Sequence, residues 1–156
     1  MVAYATNLLS MKTKAYKLEE SLGYVMGRAA RSLGTRLNRN FTQDGYDVTC
    51  EQWGVLVNLS HNNGQTQKEL AGVSCKDKTS ITRLIDGMEK RDLVVRIPDK
   101  KDGRQKLIYL TNKGKELQRK LLYLVKKTLE EGQSGIPATN LRICKDVLRR
   151  VAKNLT

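Results

Sequence analysis

The chain has a single histidine, His61, and its three cysteines, Cys50, Cys75 and Cys144, are scattered with no C-x-x-C pair. One histidine cannot build a two-histidine metal site and would have to serve any serine–histidine dyad alone. No G-x-S-x-G elbow, phosphate-binding glycine loop or dinucleotide fingerprint occurs, so no catalytic residue, cofactor or metal is expected. Unpaired thiols offer no disulfide framework and suit a reducing compartment. No apolar run approaches the roughly 20 residues of a membrane-spanning helix, and the N-terminus lacks a continuous apolar signal core. A cytoplasmic protein without membrane attachment is the expectation.

Acidic residues are also short. There are 16 against 29 Lys plus Arg, a formal net charge of +13 on 156 residues, so nucleic acid or another anionic surface is the expected partner. That length holds one domain with a real core, and no internal repeat is evident. The excess is uneven: residues 1–63 carry 7 basic and 5 acidic groups, 64–110 carry 11 and 7, and 111–156 carry 11 and 4. The C-terminal part is the most basic, so total charge argues for nucleic acid only in general. Residue order has to supply the specific argument.

Residues 65–110 supply it. Thr66 with Glu69 three positions on forms a capping box and starts a short helix over about 67–71. After a turn over 72–76, Asp77 can cap a second helix whose Ile81, Leu84, Ile85 and Met88 fall at the i, i+3, i+4, i+7 spacing of one buried face. Lys78, Thr79, Ser80, Thr82, Arg83 and Asp86 then point outward. Cations and small hydroxyls near a helix N-terminus suit a major groove, where hydroxyls reach base edges and cations reach phosphates or guanine. The plain alternative is a solvated surface helix.

A hairpin follows. Leu93, Val95 and Ile97 alternate with Val94 and Arg96 as in a strand, Pro98 breaks it, and 107–110 form the return strand. Between them, Lys100, Lys101, Arg104 and Lys106 make a basic tip, Gly103 gives the turn its freedom, and Asp99 and Asp102 lie close enough to brace a guanidinium. Two helices followed by a basic hairpin read as a winged helix.

Glu69-Leu70-Ala71, the run DKTSITRLIDGMEKRDLV from Asp77 to Val94, Asp99-Lys-Lys-Asp102-Gly-Arg104 and Leu110-Thr111-Asn-Lys-Gly114 together resemble the MarR family of bacterial transcription regulators. The resemblance implies a mainly α fold with a small β-hairpin wing: a winged helix-turn-helix at 48–110, dimerisation helices at 18–47 and 111–156, and an N-terminal arm at 1–17. It implies a homodimer on double-stranded DNA, with Lys76, Lys78, Thr79, Ser80, Thr82 and Arg83 in or beside the recognition helix. Lys100 and Lys101 would sit on the wing, with Arg104 in the minor groove braced by Asp102 or Asp99. Cys75 stands where the family usually has glycine, and Gly87 replaces a common charged residue.

The flanks read as helices with wide apolar stripes. Leu18, Leu22, Val25, Met26, Ala29, Leu33 and Leu37 recur at helical spacing, and Thr49 with Gln52 caps a helix carrying Trp53, Leu56 and Leu59. His61 closes that helix, where a donor suits the terminal carbonyls. Leu117, Leu121, Leu124, Val125 and Leu129 continue to a break over 132–137, after which Leu141, Cys144, Leu148, Val151 or Ala152, and Leu155 form a terminal seam. That seam either docks on its own domain or, as the resemblance favours, intertwines with a second subunit. Tyr24, Arg28 and Trp53 are candidates for lining a small-molecule effector cleft. Cys75, beside Lys76 and Lys78, is the best local candidate for a redox-sensing thiol, with Cys50 and Cys144 read as structural. The expected function is an effector-responsive repressor on a pseudo-palindromic operator. The alternatives are a non-specific architectural DNA-binding protein and a winged-helix protein-interaction module.

Overall fold

The computed structural model describes residues 16–74 and 78–155. After a 3-10 turn at Leu18–Glu20 come α1 (Leu22–Gln43), α2 (Cys50–His61), β1 (Gln65–Thr66), α3 (Gln67–Ser74), α4 (Lys78–Lys90), β2 (Val94–Pro98), β3 (Lys106–Leu110), α5 (Asn112–Gln133) and α6 (Ala138–Leu155). The fold is mainly α with a three-stranded antiparallel sheet in the order β1-β3-β2.

Local chemistry sets most helix starts. Ser21 accepts from the Tyr24 amide at the head of α1. Thr49 and Gln52 form the reciprocal capping box of α2. Thr66 and Glu69 form another at α3, where the Glu69 carboxylate accepts from the Thr66 N–H at 2.7 Å and its hydroxyl at 2.8 Å. Those bonds, the backbone one first, hold the Glu69 pKa below the ordinary carboxylate range. At the end of α2, His61 Nδ1 lies 2.8 Å from the Val57 carbonyl, the helix-closing role expected of it.

The core gathers Leu37 and Phe41 of α1, Leu56 and Leu59 of α2, and Ile81, Ile85 and Met88 of α4 against Ile108 of β3 and Leu121 and Leu124 of α5. Within it, the Asn40 side-chain amide donates to Thr128 Oγ1 at 2.8 Å, and Thr128 donates in turn to the Leu124 carbonyl at 2.7 Å. This buried polar pair ties α1 to α5 with every partner supplied.

Three expectations are revised. The first reading helix runs through Ser74, past the 67–71 expected, so Gly72 is helical rather than the start of a turn. The alternation in β2 has the opposite sense: Leu93 and Val94 are buried, whereas Val95 and Ile97 are 38% and 46% exposed. Asp92 adopts φ 58 and redirects the chain there, so the inward face carries Val94 and Arg96. Cys144, read as structural, is exposed on α6. Cys75, Lys76 and Asp77, with the expected helix cap and the redox candidate, lie outside the described residues, as does the arm over 1–15.

Candidate nucleic-acid interface

The recognition helix α4 buries Ile81, Ile85 and Met88 and leaves Thr79, Ser80 and Arg83 exposed at its N-terminal end. Lys78 is its first residue. Thr82 differs from the expectation of an outward hydroxyl. It is half-buried, and its Oγ1 accepts from Gln67 Nε2 at 3.0 Å, joining the start of α3 to α4.

Lys100, Lys101, Asp102 and Arg104 are all exposed on the wing tip. The two aspartates act on the backbone. Asp99 Oδ1 accepts from the Lys101 N–H at 3.0 Å, and Asp102 Oδ1 accepts from the Arg104 N–H at 3.1 Å. Asp102 Oδ2 also takes Gln105 Nε2 at 3.1 Å, while the Asp99 N–H donates to the Gln105 carbonyl at 2.9 Å. The expected carboxylate brace on the Arg104 guanidinium is absent among the described residues. Short Asp side chains reach a neighbouring amide two residues on more readily than a guanidinium at the end of a long side chain. The loop is shaped by its aspartates, and the Arg104 side chain projects from it.

Sequence reasoning missed the strut between wing and recognition helix. Arg96 on β2 has a side chain only 13% exposed, and its Nη2 lies 2.6 Å from Asp86 Oδ1 of α4. Its Nη1 pairs with Glu89 Oε2, and its backbone N–H donates to Glu89 Oε1 at 3.1 Å. One planar guanidinium thus fastens the hairpin to two carboxylates a helical turn apart. The available signal was a lone arginine within an apolar strand, preceded by acids at i and i+3 on a helix. With both carboxylates partly exposed, Arg96→Ala is expected to cost roughly 1 to 2 kcal/mol, between the values for exposed and buried pairs. A urea midpoint and an operator titration measure it. Arg96→Lys should restore only part, because an ammonium cannot present the planar fork.

Of the effector candidates, Tyr24 and Arg28 stand one turn apart on α1, and Trp53 lies on α2. Tyr24 is half-buried on the first turns of α1, Arg28 is exposed farther along it, and Trp53 packs against the core from α2. One cavity of about 380 Å³ lies between the α1–α2 linker, the turn after α4 and the start of α5, with Tyr46, Arg91, Lys113 and Lys120 at its wall. No group of three or more metal-ligating side chains occurs among the described residues, and no helix there is long and apolar enough to cross a membrane.

Residues 48–106 match the model of the MarR family. The chain is similar to YybA of Bacillus subtilis, an uncharacterised HTH-type transcriptional regulator, with 28% identity over 130 residues, 83% of this chain and 85% of that one. It is similar to the HTH-type transcriptional regulator FarR of Neisseria gonorrhoeae, with 25% identity over 143 residues, 92% and 95% of the two chains. Among solved structures it resembles CouR of Rhodococcus jostii bound to p-coumaroyl-CoA, with a TM-score of 0.75 and 26% identity over 88% of this chain and 96% of that one. The matched relatives are regulators rather than enzymes.

Proposed function

We propose that the chain is a member of the MarR family of transcription regulators and works as an effector-responsive repressor, a homodimer on a pseudo-palindromic operator. The observation that carries this reading is the junction of α4 with the hairpin: an exposed Thr79, Ser80 and Arg83 tip beside an exposed cationic wing, held in fixed relation by Arg96. Each recognition helix enters a major groove, and each Arg104 reaches the neighbouring minor groove. A two-fold dimer then requires half-sites about 10 base pairs apart, centre to centre. An effector acts by favouring an arrangement of the two reading heads that does not fit that spacing, which needs different affinity for the two states. That CouR is seen with p-coumaroyl-CoA supports an effector for this chain as well.

Arg104→Ala is expected to remove a minor-groove contact and cost on the order of 1 to 3 kcal/mol of operator affinity. Asp102→Ala should also weaken binding although it deletes a negative charge, because the loop backbone loses its acceptor. If Asp102→Ala only strengthens binding, bulk electrostatics suffices and the wing has no defined shape to lose.

A non-specific architectural protein is the rival reading, favoured by the concentration of charge in residues 111–156, which hold 11 basic and 4 acidic groups. Paired salt titrations on a selected operator and on scrambled DNA of the same length separate the two. Neutralising Lys100 or Lys101 should weaken both duplexes about equally and lower the salt slope by about 1 per lost phosphate contact in each half. Thr79→Ala and Ser80→Ala should leave the slope nearly intact and shrink the ratio of operator to scrambled affinity, since base contacts specify and phosphate contacts position. Equal affinity of the unmodified protein for both duplexes would give the field to the architectural reading.

A further inference from the structure

Thr82 and Thr79 lie one turn apart on α4, yet their surroundings differ in kind. At about 100° per residue, Thr82 falls on the flank of the helix, between the buried Ile81 and Ile85 and the exposed Thr79 and Arg83. It shares that flank with Asp86 and Glu89, the two carboxylates that the wing's Arg96 holds. Thr82 is half-buried there, and its Oγ1 is turned to the start of α3, where it accepts from Gln67 Nε2 at 3.0 Å. Gln67 is the first residue of α3 and itself half-buried, directly after the Thr66 cap that Glu69 closes. The donor therefore stands on a capped helix end.

A threonine carries two heavy atoms on Cβ, and they point in different staggered directions, so turning the oxygen to α3 leaves the methyl group for the open side. That exchange changes what the side chain can tell apart. A hydroxyl both donates and accepts, so it meets acceptors and donors on base edges alike, whereas in the major groove a C5 methyl group belongs to thymine alone. Tying the hydroxyl back turns a permissive contact into a selective one. Valine would present the same methyl but leave the Gln67 amide without its acceptor in a half-buried joint, and serine would keep the acceptor and lose the methyl. Threonine does both.

We propose that Thr82 selects a thymine in each half-site, its methyl group against the C5 methyl in the major groove, and that Gln67 is the positioning residue that keeps the hydroxyl turned away. The assignment rests on the regulator reading and adds to it the base that one side chain chooses. Thr79 and Arg83, exposed on the outer surface of the same helix, are left to contacts of other kinds. The selection comes from outside α4, since the residue that sets it lies fifteen positions earlier in the chain.

Titrations of the full chain on a selected operator test it, with one thymine at a time replaced by deoxyuridine, a change that deletes the C5 methyl and leaves base pairing intact. For the unmodified protein, one thymine in each half-site is expected to lose about fourfold in affinity on replacement, the weight of one methyl group taken out of water. Thr82→Ser should bind thymine and deoxyuridine at that position equally, with a urea midpoint close to that of the unmodified protein. Thr82→Val should keep the discrimination and lower the midpoint. Gln67→Ala frees the hydroxyl to turn outward and should cut the discrimination to below about twofold. Gln67→Glu, whose carboxylate accepts from the Thr82 hydroxyl, should restore the ratio even though its added negative charge weakens binding to every duplex. A purely structural role for Gln67 would move all duplexes together and leave the ratio alone.

Three results overturn the proposal: no thymine whose replacement weakens binding, the same penalties in Thr82→Ser as in the unmodified protein, or loss of the discrimination in Thr82→Val. An undiminished ratio in Gln67→Ala overturns the positioning role. Failure of the regulator reading shows separately, as equal affinity of the unmodified protein for operator and scrambled DNA.

Discussion

A chain ended after Gly135 is expected to sediment as a monomer or to aggregate, and to lose at least about a hundredfold in operator affinity, because a single reading head forfeits the gain from engaging two half-sites together. The structure gives the reason to expect so large an effect from removing a helix far from the reader. No residue of α6 is buried, and Ile143, Val147 and Leu155 on it are 58%, 46% and 82% exposed. The N-terminal part of the chain shows the same pattern, with Leu18, Leu22 and Val25 at 58%, 49% and 52%. Two amphipathic surfaces left open in one chain are the kind of apolar area that marks an interface. The winged-helix core, built on Leu56, Ile85 and Ile108, takes nothing from α6, so the truncated chain should keep its far-ultraviolet helix signal for the residues that remain. Sedimentation and an operator titration decide the matter. A soluble truncated dimer that binds operator normally would show that the interface lies elsewhere.

Gly114→Ala is expected to destabilise the protein by about 3 kcal/mol, at the upper end for overpacking a filled site. Helix propensity alone predicts the opposite sign, since alanine inside a helix is favoured over glycine by about 1 kcal/mol. Contact decides: a Cβ at this position would stand 2.1 Å from the Leu93 carbonyl oxygen and 3.2 Å from Leu110 Cδ2. The Leu93 oxygen is backbone and already accepts from the Thr111 N–H at 3.2 Å, so it cannot swing aside without breaking the joint between the wing and α5. Thr111 completes that joint, accepting from the Gly114 amide at 3.0 Å and donating to the Asp92 carbonyl at 2.6 Å. The L-T-x-x-G motif is therefore a cap and a close approach in one device, setting α5 directly on the winged-helix unit. Urea unfolding at fixed protein concentration measures the effect, and a midpoint shifted upward would mean that the helix start relaxes freely.

Local features of this protein were legible from its residues alone. The capping boxes at Thr49 and Thr66, the helix end at His61, the break before α6 and the hairpin with its basic tip depend on neighbours within about four positions, and the structure has each of them. The inward face of α4 was legible for the same reason, as a period of side chains along one element. What tertiary structure decided lies between elements. Arg96 faces inward because Asp86 and Glu89 wait there on another element, and Asp92 turns the chain so that Val94, rather than Val95, meets the core. Thr82 is held back from the outer surface by Gln67, fifteen residues away. The stripe on α1 was visible as a pattern, but only packing shows that Leu37 and Phe41 are covered by the chain's own core while Leu22 and Val25 are left open. Periodicity records that a face is apolar, and the partner that covers it belongs to the geometry of the assembled molecule.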